Sequence, residues 1–228
     1  MTAAPSSSSR PFHLRVMGER ACFTRPEMKV ERLSYEVMTP SAARGVLEAI
    51  LWKPGLRWQV DRITVLNPIR WDSVRRNEVG AKASVSILRQ AMGGADVRPG
   101  IVIEDNRQQR AATILRDVDY IIEARIQMTE KAGPSDNPTK FAEMFRRRAA
   151  QGQCFQRPYL GTREFAADFK LIEDGMERPD PLAESRDLGW MLLDLDYSGE
   201  RPLPLFFDAK LRNGVMEIPD PASPEVRR

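Results

Sequence analysis

Basic side chains interleaved with aromatic ones are the residues of this chain best suited to bind a polyanion. The run Arg146–Arg148 follows Lys140 at helical spacing. Two other stretches carry the same mixture of residues: Arg70, Trp71, Arg75 and Arg76, and then Arg157, Tyr159 and Arg163. Arginine binds phosphate groups, whereas Trp and Tyr stack on unpaired bases. The pattern predicts an RNA-binding surface, although a solubilising helix face is the alternative for the three consecutive arginines.

Metal and cofactor chemistry is poorly supported by the residue types present. His13 is the only histidine, which excludes a two-histidine metal site or nuclease centre. The sequence contains no HExxH, GxxxxGK[ST] or GxSxG motif and no cysteine cluster. Asp194 and Asp196 alternate onto one strand face, where a solvated pair is favoured over a metal site. We therefore expect no metal and no cofactor. His13 is expected on the outer face of a strand, as a surface residue rather than a catalyst.

Charge is distributed unevenly along the 228 residues. Residues 1–170 carry 28 Lys and Arg against 19 Asp and Glu, whereas residues 171–228 carry 7 against 13. A basic surface attracts nucleic acid, so the first three quarters of the chain are the expected RNA-binding part. The acidic C-terminal region is expected to face away from RNA or toward a protein neighbour.

Six elements must position these residues, and hydrophobic periodicity locates them. The clearest is a helix within Tyr35–Pro54, with Thr39 as its N-cap, Pro40 in its first turn and an apolar stripe. Asn137 or Thr139 caps a second helix, which Gly152 ends. Strands are predicted at 11–24, 56–66, 112–129 and 155–169, and an irregular segment with a short helix near 82–89 occupies 68–110.

The order strand, helix, strand, strand, helix, strand predicts an α+β protein with a ferredoxin-like (RRM-like) βαββαβ domain over 11–169. The segment 68–110 is an insertion between strands two and three. Residues 170–218 read as a C-terminal antiparallel β-sheet extension with an Asn213-Gly214 hairpin turn. The tails 1–10 and 219–228 are predicted to be disordered. No secretory signal or membrane span is predicted, and two isolated cysteines suit a reducing environment, so a cytoplasmic location is expected.

Three sequence blocks resemble a known family. LSYEVMTPSAARGVLEAILWKP, DRITVLNPIRWDSVRRNEVG and PYLGTREFAADF are similar to the fifth-family, Dvulg-subtype CRISPR-associated proteins of type I-C systems, which belong to the RAMP superfamily. The WKP, NPI, RRNE and LG-REF motifs occur together in family order, and the resemblance covers about residues 15–218. It implies a ferredoxin-like domain followed by a β-sheet extension, as the strand order also predicts.

The resemblance implies an endoribonuclease that processes CRISPR precursor RNA. Family members cut the repeat at the base of its hairpin without metal, through attack of the RNA's own 2′-hydroxyl. They remain bound to the 5′ handle and join an interference complex with its large and backbone subunits. A catalytically silent RNA-binding scaffold and a double-stranded DNA-binding subunit are the alternatives.

This chain departs from the family pattern at two positions. Some members have Tyr immediately before WKP and a Lys-His pair at the start of the second helix, where this chain has Leu51 and Lys140-Phe141. The resemblance therefore implies Lys140 as the retained catalytic residue. Candidates for the missing proton donor are Tyr35, His13 and the Arg146–Arg148 cluster.

The remaining candidate RNA-binding residues follow from the basic and aromatic pattern and from the WKP motif. They are Arg146, Arg147, Arg148, Arg163, Arg75, Arg76, Trp52 and Lys53. For Trp52, packing against the sheet is favoured over base stacking. For Lys53, the alternative role is a favourable charge at the C-terminal end of the helix.

Overall fold

A computed structural model describes residues 8–197 and 199–228. The chain is a mixed α/β protein with a large, mainly antiparallel sheet, in line with the predicted α+β class. Its elements are β1 (Phe12–Ala21), β2 (Arg32–Leu33), α1 (Pro40–Ile50), β3 (Leu56–Val65), β4 (Arg70–Val79), α2 (Val85–Met92), α3 (Ile103–Asn106), β5 (Arg107–Met128), α4 (Pro138–Ala150), β6 (Asp168–Ile172), β7 (Arg186–Asp196), β8 (Leu203–Arg212) and β9 (Val215–Glu217).

The 22-residue strand β5 is the centre of the sheet. The strand order is β6-β1-β5-β3-β9-β8-β7, and β2 and β4 also pair with β5. Within β6-β1-β5-β3 every neighbouring pair is antiparallel. Helices α1 and α4 therefore connect strands that are not neighbours, and both pack on the same face of these four strands.

Local capping signals fix both long helices as predicted. The Thr39 side chain accepts a hydrogen bond from Ala42 N, and Pro40 occupies the first turn of α1. Asn137, rather than Thr139, caps α4 through the Lys140 N–H at 2.8 Å. Gly152 adopts a left-handed conformation with φ of 65°, which ends α4 where the sequence predicts.

The core lies between these helices and the sheet. Phe12, Trp58 and Phe145 pack edge to face, with ring centroids 4.7 to 5.8 Å apart. Each of these side chains is almost completely buried, and burial of a large apolar side chain stabilises a protein by about 1.5–3 kcal/mol. The aromatic cluster thus joins α4 to β1 and β3.

The predicted strand over 155–169 is largely wrong. Regular pairing begins only at Asp168 in β6, and the preceding segment is a loop with one isolated bridge between Tyr159 and Ala166. Gly161 has φ of 84° and lies against the Cys22 carbonyl so closely that a Cβ atom would clash. Pro158 and this left-handed glycine interrupt the strand.

The predicted irregular insertion contains a regular hairpin. Strand β4 pairs with the first half of β5 from Arg70↔Arg116 to Val79↔Arg107. Helix α2, which follows, begins and ends three residues later than the predicted 82–89 and buries none of its residues. Strand β4 was missed because its side chains are mostly polar or charged on both faces.

The ends of the described chain pair with the sheet. Ser9 N donates to Ile126 O at 2.8 Å, so the predicted disorder does not hold for residues 8–10, while residues 1–7 lie outside the described ranges. Arg227 and Phe206 exchange two backbone hydrogen bonds of 2.8 Å, which corrects the predicted disorder near the C-terminus. The Asn213-Gly214 turn is confirmed, with φ of 47° and 75°. No helix in the described ranges is long and apolar enough to cross a membrane.

Candidate RNA-binding and cleavage surface

The C-terminal end of α1 is fixed by three hydrogen bonds from other parts of the chain. The carbonyl groups at this end would otherwise lack helical partners. Ala49 O accepts from Phe155 N at 2.8 Å, Ile50 O from Arg148 Nη1 at 2.9 Å, and Leu51 O from the Trp58 indole at 2.9 Å. The residues that follow, Trp52 to Pro54, therefore leave a rigid helix end.

Trp52 projects into solvent, with 60% of its surface exposed. The prediction that it packs against the sheet is wrong, because Trp58 fills that position with only 2% exposure. The two tryptophans lie six residues apart, and the turn at Pro54 and Gly55 reverses the chain between them. Trp52 is consequently available to a partner.

The Trp-Lys-Pro turn packs on the loop before α4. Thr129 Oγ1 donates to Pro54 O at 2.6 Å, and Thr129 N donates to Gly55 O at 3.1 Å. On the same loop, Asp136 binds Lys140 Nζ at 2.9 Å. The turn after α1 and the N-terminal end of α4 thereby form one surface.

Electrostatics tie Lys53 and Lys140 to the same carboxylate. The hydrogen bond from Lys140 lowers the pKa of Asp136, and a hydrogen bond from Gly133 N and the positive charges of Lys140 and Lys53 act in the same direction. Two ammonium groups therefore act on one carboxylate, which leaves net positive charge at this position.

The three consecutive arginines of α4 have different roles. Arg148 is half-buried and caps α1, whereas the Arg146 guanidinium lies over the Phe12 ring at 5.1 Å from its centroid. Arg147 is exposed. Within the described ranges, no carboxylate lies at salt-bridge distance from any of the three or from Lys53. We call Trp52, Lys53, Lys140, Arg147, Arg148 and Phe155 the helix-end surface.

Tyr35 is in the core rather than on a reactive surface. It is 1% exposed, and its hydroxyl accepts a hydrogen bond from Leu192 N at 3.3 Å. Burial raises the pKa of this phenol above its ordinary value, which disfavours the ionised form. Because Tyr35 is buried, its hydroxyl does not lie on a surface that a bound RNA would contact.

His13 is buried, which overturns its prediction as a surface residue. Its Nε2 lies 3.1 Å from Glu123 Oε2, and its Nδ1 lies 3.3 Å from Arg178 Nη2. Only 9% of the residue is exposed, because the loop that carries Arg178 covers it. Strand alternation places His13 on the face of the sheet opposite α4, so it does not share a surface with Lys140.

Three arginines of the outer sheet face, by which we mean the side of β1, β3 and β5 opposite the helices, are paired with carboxylates, whereas Arg57 of β3 is exposed and has no carboxylate at salt-bridge distance within the described ranges. Arg15 binds Asp119 at 2.6 Å, Arg62 binds Glu217 at 2.8 Å, and Arg125 binds Asp61 at 2.8 Å. No Phe, Tyr or Trp of these three strands points to this side. Most of the arginine charge on this face is therefore balanced, and the three strands offer no stacking group there.

Exposure differs among three predicted RNA-binding residues, Arg75 and Arg76 on strand β4 and Arg163 in the loop before β6. Arg76 is largely buried and pairs with Glu164 and Glu78. Arg75 and Arg163 are exposed. The structure does not bring this group to the helix-end surface through any contact within the described ranges.

Two residues at this site, Asp136 beside Lys140 and Phe155 of the helix-end surface, were not predicted from the sequence. Asp136 precedes Lys140 by four residues, a spacing at which opposite charges meet near a helix start. Phe155 was assigned to a strand, and no local signal marks it as exposed.

The two departures from the family pattern, Leu51 and Phe141, are both buried. Among the described residues, no group of three His, Cys, Asp or Glu side chains is arranged to hold a metal.

Known proteins similar to this chain are CRISPR-associated. It is 56% identical over 222 residues to a Mannheimia succiniciproducens protein named CRISPR pre-crRNA endoribonuclease Cas5d, covering 95% of this chain and 98% of that protein. A Thermus thermophilus protein of the same name is 43% identical over 233 residues, covering 94% of each.

Structural similarity extends over the whole fold. A crystal structure of a CRISPR-associated protein has a TM-score of 0.70 and 24% identity, covering 97% of this chain and 98% of that one. The model of the CRISPR-associated protein (Cas_Cas5) family matches residues 12–219. The chain belongs to the Cas5d family of CRISPR-associated proteins.

Proposed function

We propose that this chain is a metal-independent endoribonuclease that cleaves CRISPR repeat precursor RNA at the base of its hairpin and stays bound to the 5′ handle. The observation that carries the proposal is the 56% identity, over 95% of the chain, to a protein named a pre-crRNA endoribonuclease. The helix-end surface supports it, because the positive charges of Lys140 and Lys53 both act on Asp136 there, and positive charge beside the phosphate stabilises the phosphorane.

The chemistry is an internal transesterification. The 2′-oxygen bonds to the adjacent phosphorus and the bond from phosphorus to the 5′-oxygen breaks, leaving a 2′,3′-cyclic phosphate. The 2′-hydroxyl loses one proton and the departing 5′-oxygen gains one. Orientation of the 2′-hydroxyl and stabilisation of charge on the phosphorane lower the barrier. The Lys140 ammonium group supplies that positive charge in our proposal.

The decisive test is incubation with the cognate repeat RNA in EDTA. We expect one cut at the hairpin base and a product with a 2′,3′-cyclic end. A matched RNA with a 2′-deoxy sugar at the cut position should remain intact, because it lacks the nucleophile. No specific cut of the unmodified repeat would refute the activity.

A catalytically silent RNA-binding scaffold is the second candidate, favoured by one observation. Leu51 and Phe141 occupy the positions where some family members have Tyr and His, and both are buried apolar side chains that cannot transfer protons. Specific cleavage by the wild type that Lys140→Ala abolishes, with folding and RNA binding intact, would exclude this candidate.

We infer that the RNA partner is the CRISPR repeat and that the protein partners are the large and backbone subunits of a type I-C interference complex. Double-stranded DNA is the competing ligand of the same basic surface. Competition binding separates the two. Repeat RNA should displace duplex DNA of equal length, and tighter binding of the duplex would favour the DNA-binding role.

We also propose a ferredoxin-like domain over 11–169, with its insertion at 68–110, followed by a β-sheet extension over 170–218. The antiparallel order β6-β1-β5-β3 supports this topology. In a βαββαβ unit the fourth strand lies beside the first, the first beside the third, and the third beside the second, and β1, β3, β5 and β6 are the first to fourth strands here. A fragment of residues 8–172 that unfolds cooperatively in urea would support the boundary, and an aggregated fragment would argue against it.

A further inference from the structure

Phe155 is an aromatic residue that neither the proposed reaction nor the core uses. Its exposed fraction is 91%, and no aromatic side chain in the described ranges is more exposed. Burial of a side chain of this size is strongly favourable in water. A fully exposed phenylalanine therefore forgoes that stabilisation in the isolated protein and regains it only when a partner covers the ring.

The backbone of Phe155 is held in place. Its N–H donates to Ala49 O at 2.8 Å. The segment before it leaves α4 through Gly152, and Gln153 N donates to Arg148 O at 2.8 Å. The ring thus projects from a fixed backbone position, so a partner would not have to order a loose loop in order to use it.

One positively charged side chain, that of Arg148, is bound next to the backbone position of Phe155. Arg148 donates to the Ile50 carbonyl, which directly follows the Ala49 carbonyl that holds Phe155. Trp52 leaves the same helix end two residues after Ile50. Within the described ranges, neither Arg148 nor Arg147 has a carboxylate at salt-bridge distance. An exposed aromatic ring near arginines that lack a carboxylate partner matches the chemistry of single-stranded nucleic acid, which offers flat bases and phosphates together.

We propose that Phe155 and Trp52 form an aromatic platform on which unpaired nucleobases of the repeat RNA stack beside the hairpin base. The proposal rests on the proposed function, since it names where the RNA lies on the helix-end surface. Phe155 is a positioning residue: it does not touch the reacting atoms but fixes the strand that leads to them. The exposed apolar side chains of α2 differ, because none of them is aromatic and able to stack on a base.

The test measures binding of a fluorescent repeat hairpin with single-stranded flanks, carrying a 2′-deoxy sugar at the cut position so that cleavage does not intervene. Loss of one base–aromatic stack should weaken binding by about 5- to 150-fold, so we expect this for Phe155→Ala. Phe155→Trp should retain the wild-type affinity. Met92→Ala is the matched control, because Met92 on α2 is 88% exposed, and it should change nothing.

A second ligand separates stacking from general loss of affinity. Blunt duplex RNA of equal length presents no unpaired base, so wild type and Phe155→Ala should bind it equally. Affinity of Phe155→Ala for the flanked hairpin within twofold of wild type would overturn the proposal. The proposal would also be overturned if Phe155→Ala kept its RNA affinity but no longer co-purified with partner subunits, because Phe155 would then contact protein rather than RNA. If wild type itself shows no preference for the repeat, the proposed function fails and this inference fails with it.

Discussion

The helix-end surface and the outer sheet face are both rich in basic residues but differ in how their charges are paired. Each of Arg15, Arg62 and Arg125 on the outer sheet face binds a carboxylate. On the helix-end surface, within the described ranges, only Lys140 does so. A cation that already has a partner must lose it before it binds phosphate, whereas an unpaired cation exchanges only water and counterions. We therefore expect RNA to bind the helix-end surface rather than the outer sheet face.

The same contrast argues against RNA binding through the open face of the sheet. RRM domains stack bases on aromatic side chains of their sheet, and the outer sheet face of this chain presents none from β1, β3 or β5. Exposed aromatic rings lie instead at the end of α1. The expected division is that the outer sheet face contributes stability and the helix-end surface contributes function.

Removal of the Lys140 ammonium group should have the largest effect. Loss of one group that stabilises developing charge slows an enzyme by about 100-fold or more. Lys140→Ala should therefore cut repeat RNA at least that much more slowly in single-turnover assays, with binding changed only a few-fold. Lys82→Ala, which removes an exposed lysine near the tip of the β4–β5 hairpin, is the control. Wild-type cleavage by Lys140→Ala would remove this residue from the mechanism.

Loss of a paired carboxylate on the outer sheet face should reduce stability without affecting RNA binding. Asp119 is 7% exposed, and its carboxylate accepts hydrogen bonds from Arg15 Nε and Nη2. Hydrogen bonds to charged groups contribute about 1–2 kcal/mol where one partner remains partly exposed. Asp119→Ala should lower the free energy of unfolding in urea by about that amount. Weakened RNA binding at full stability would reverse the assignment of the two surfaces.

Two arginines on opposite sides of the sheet provide a matched comparison of affinity. Arg147→Ala should weaken repeat binding a few-fold and reduce the slope of log affinity against log salt concentration by about 1, because one phosphate contact is lost. Arg125→Ala should leave both quantities unchanged, since Arg125 is occupied by Asp61. Equal effects of the two substitutions would contradict the distinction between paired and unpaired cations.

The smallest expected effect is on the titration of Asp136. Its pKa lies below the ordinary value of 3.8, mainly because of the Lys140 hydrogen bond. A carboxylate of this kind contributes stability that is present above the ordinary pKa and is lost as pH falls through the lowered one. NMR titration of the Asp136 carboxyl should show the lowered pKa in the wild type and a rise toward 3.8 in Lys140→Met. An unchanged pKa in the variant would show that the pair does not form in solution.

Features with local signals were predictable from the sequence. The Thr39 cap, the Asn137 cap and the Asn213-Gly214 turn each depend on residues within a few positions of one another, and each is present. Strand β4 was missed because both of its faces carry polar side chains, so its alternation has no hydrophobic contrast.

The candidate site depended on contacts between distant parts of the chain. Whether Trp52 or Trp58 is buried is decided by the turn between them and by the aromatic cluster with Phe145. His13 is covered by Arg178, which is 165 positions away. Phe155 is fixed by Ala49 from another element. Local periodicity contains no information on such pairs, so the sequence predicted the residue types of the site but not which of them meet.

Photo-crosslinking of the flanked repeat RNA, followed by mass spectrometry of the attached peptides, would show which surface of the protein holds the RNA. The unpaired cations and exposed rings predict crosslinks to residues 52–55 and 139–155. They also predict none to the acidic residues 188–218. Crosslinks concentrated on the outward-facing side chains of β1, β3 and β5 would refute RNA binding by the helix-end surface, because the RNA would then lie where Arg15, Arg62 and Arg125 are already paired.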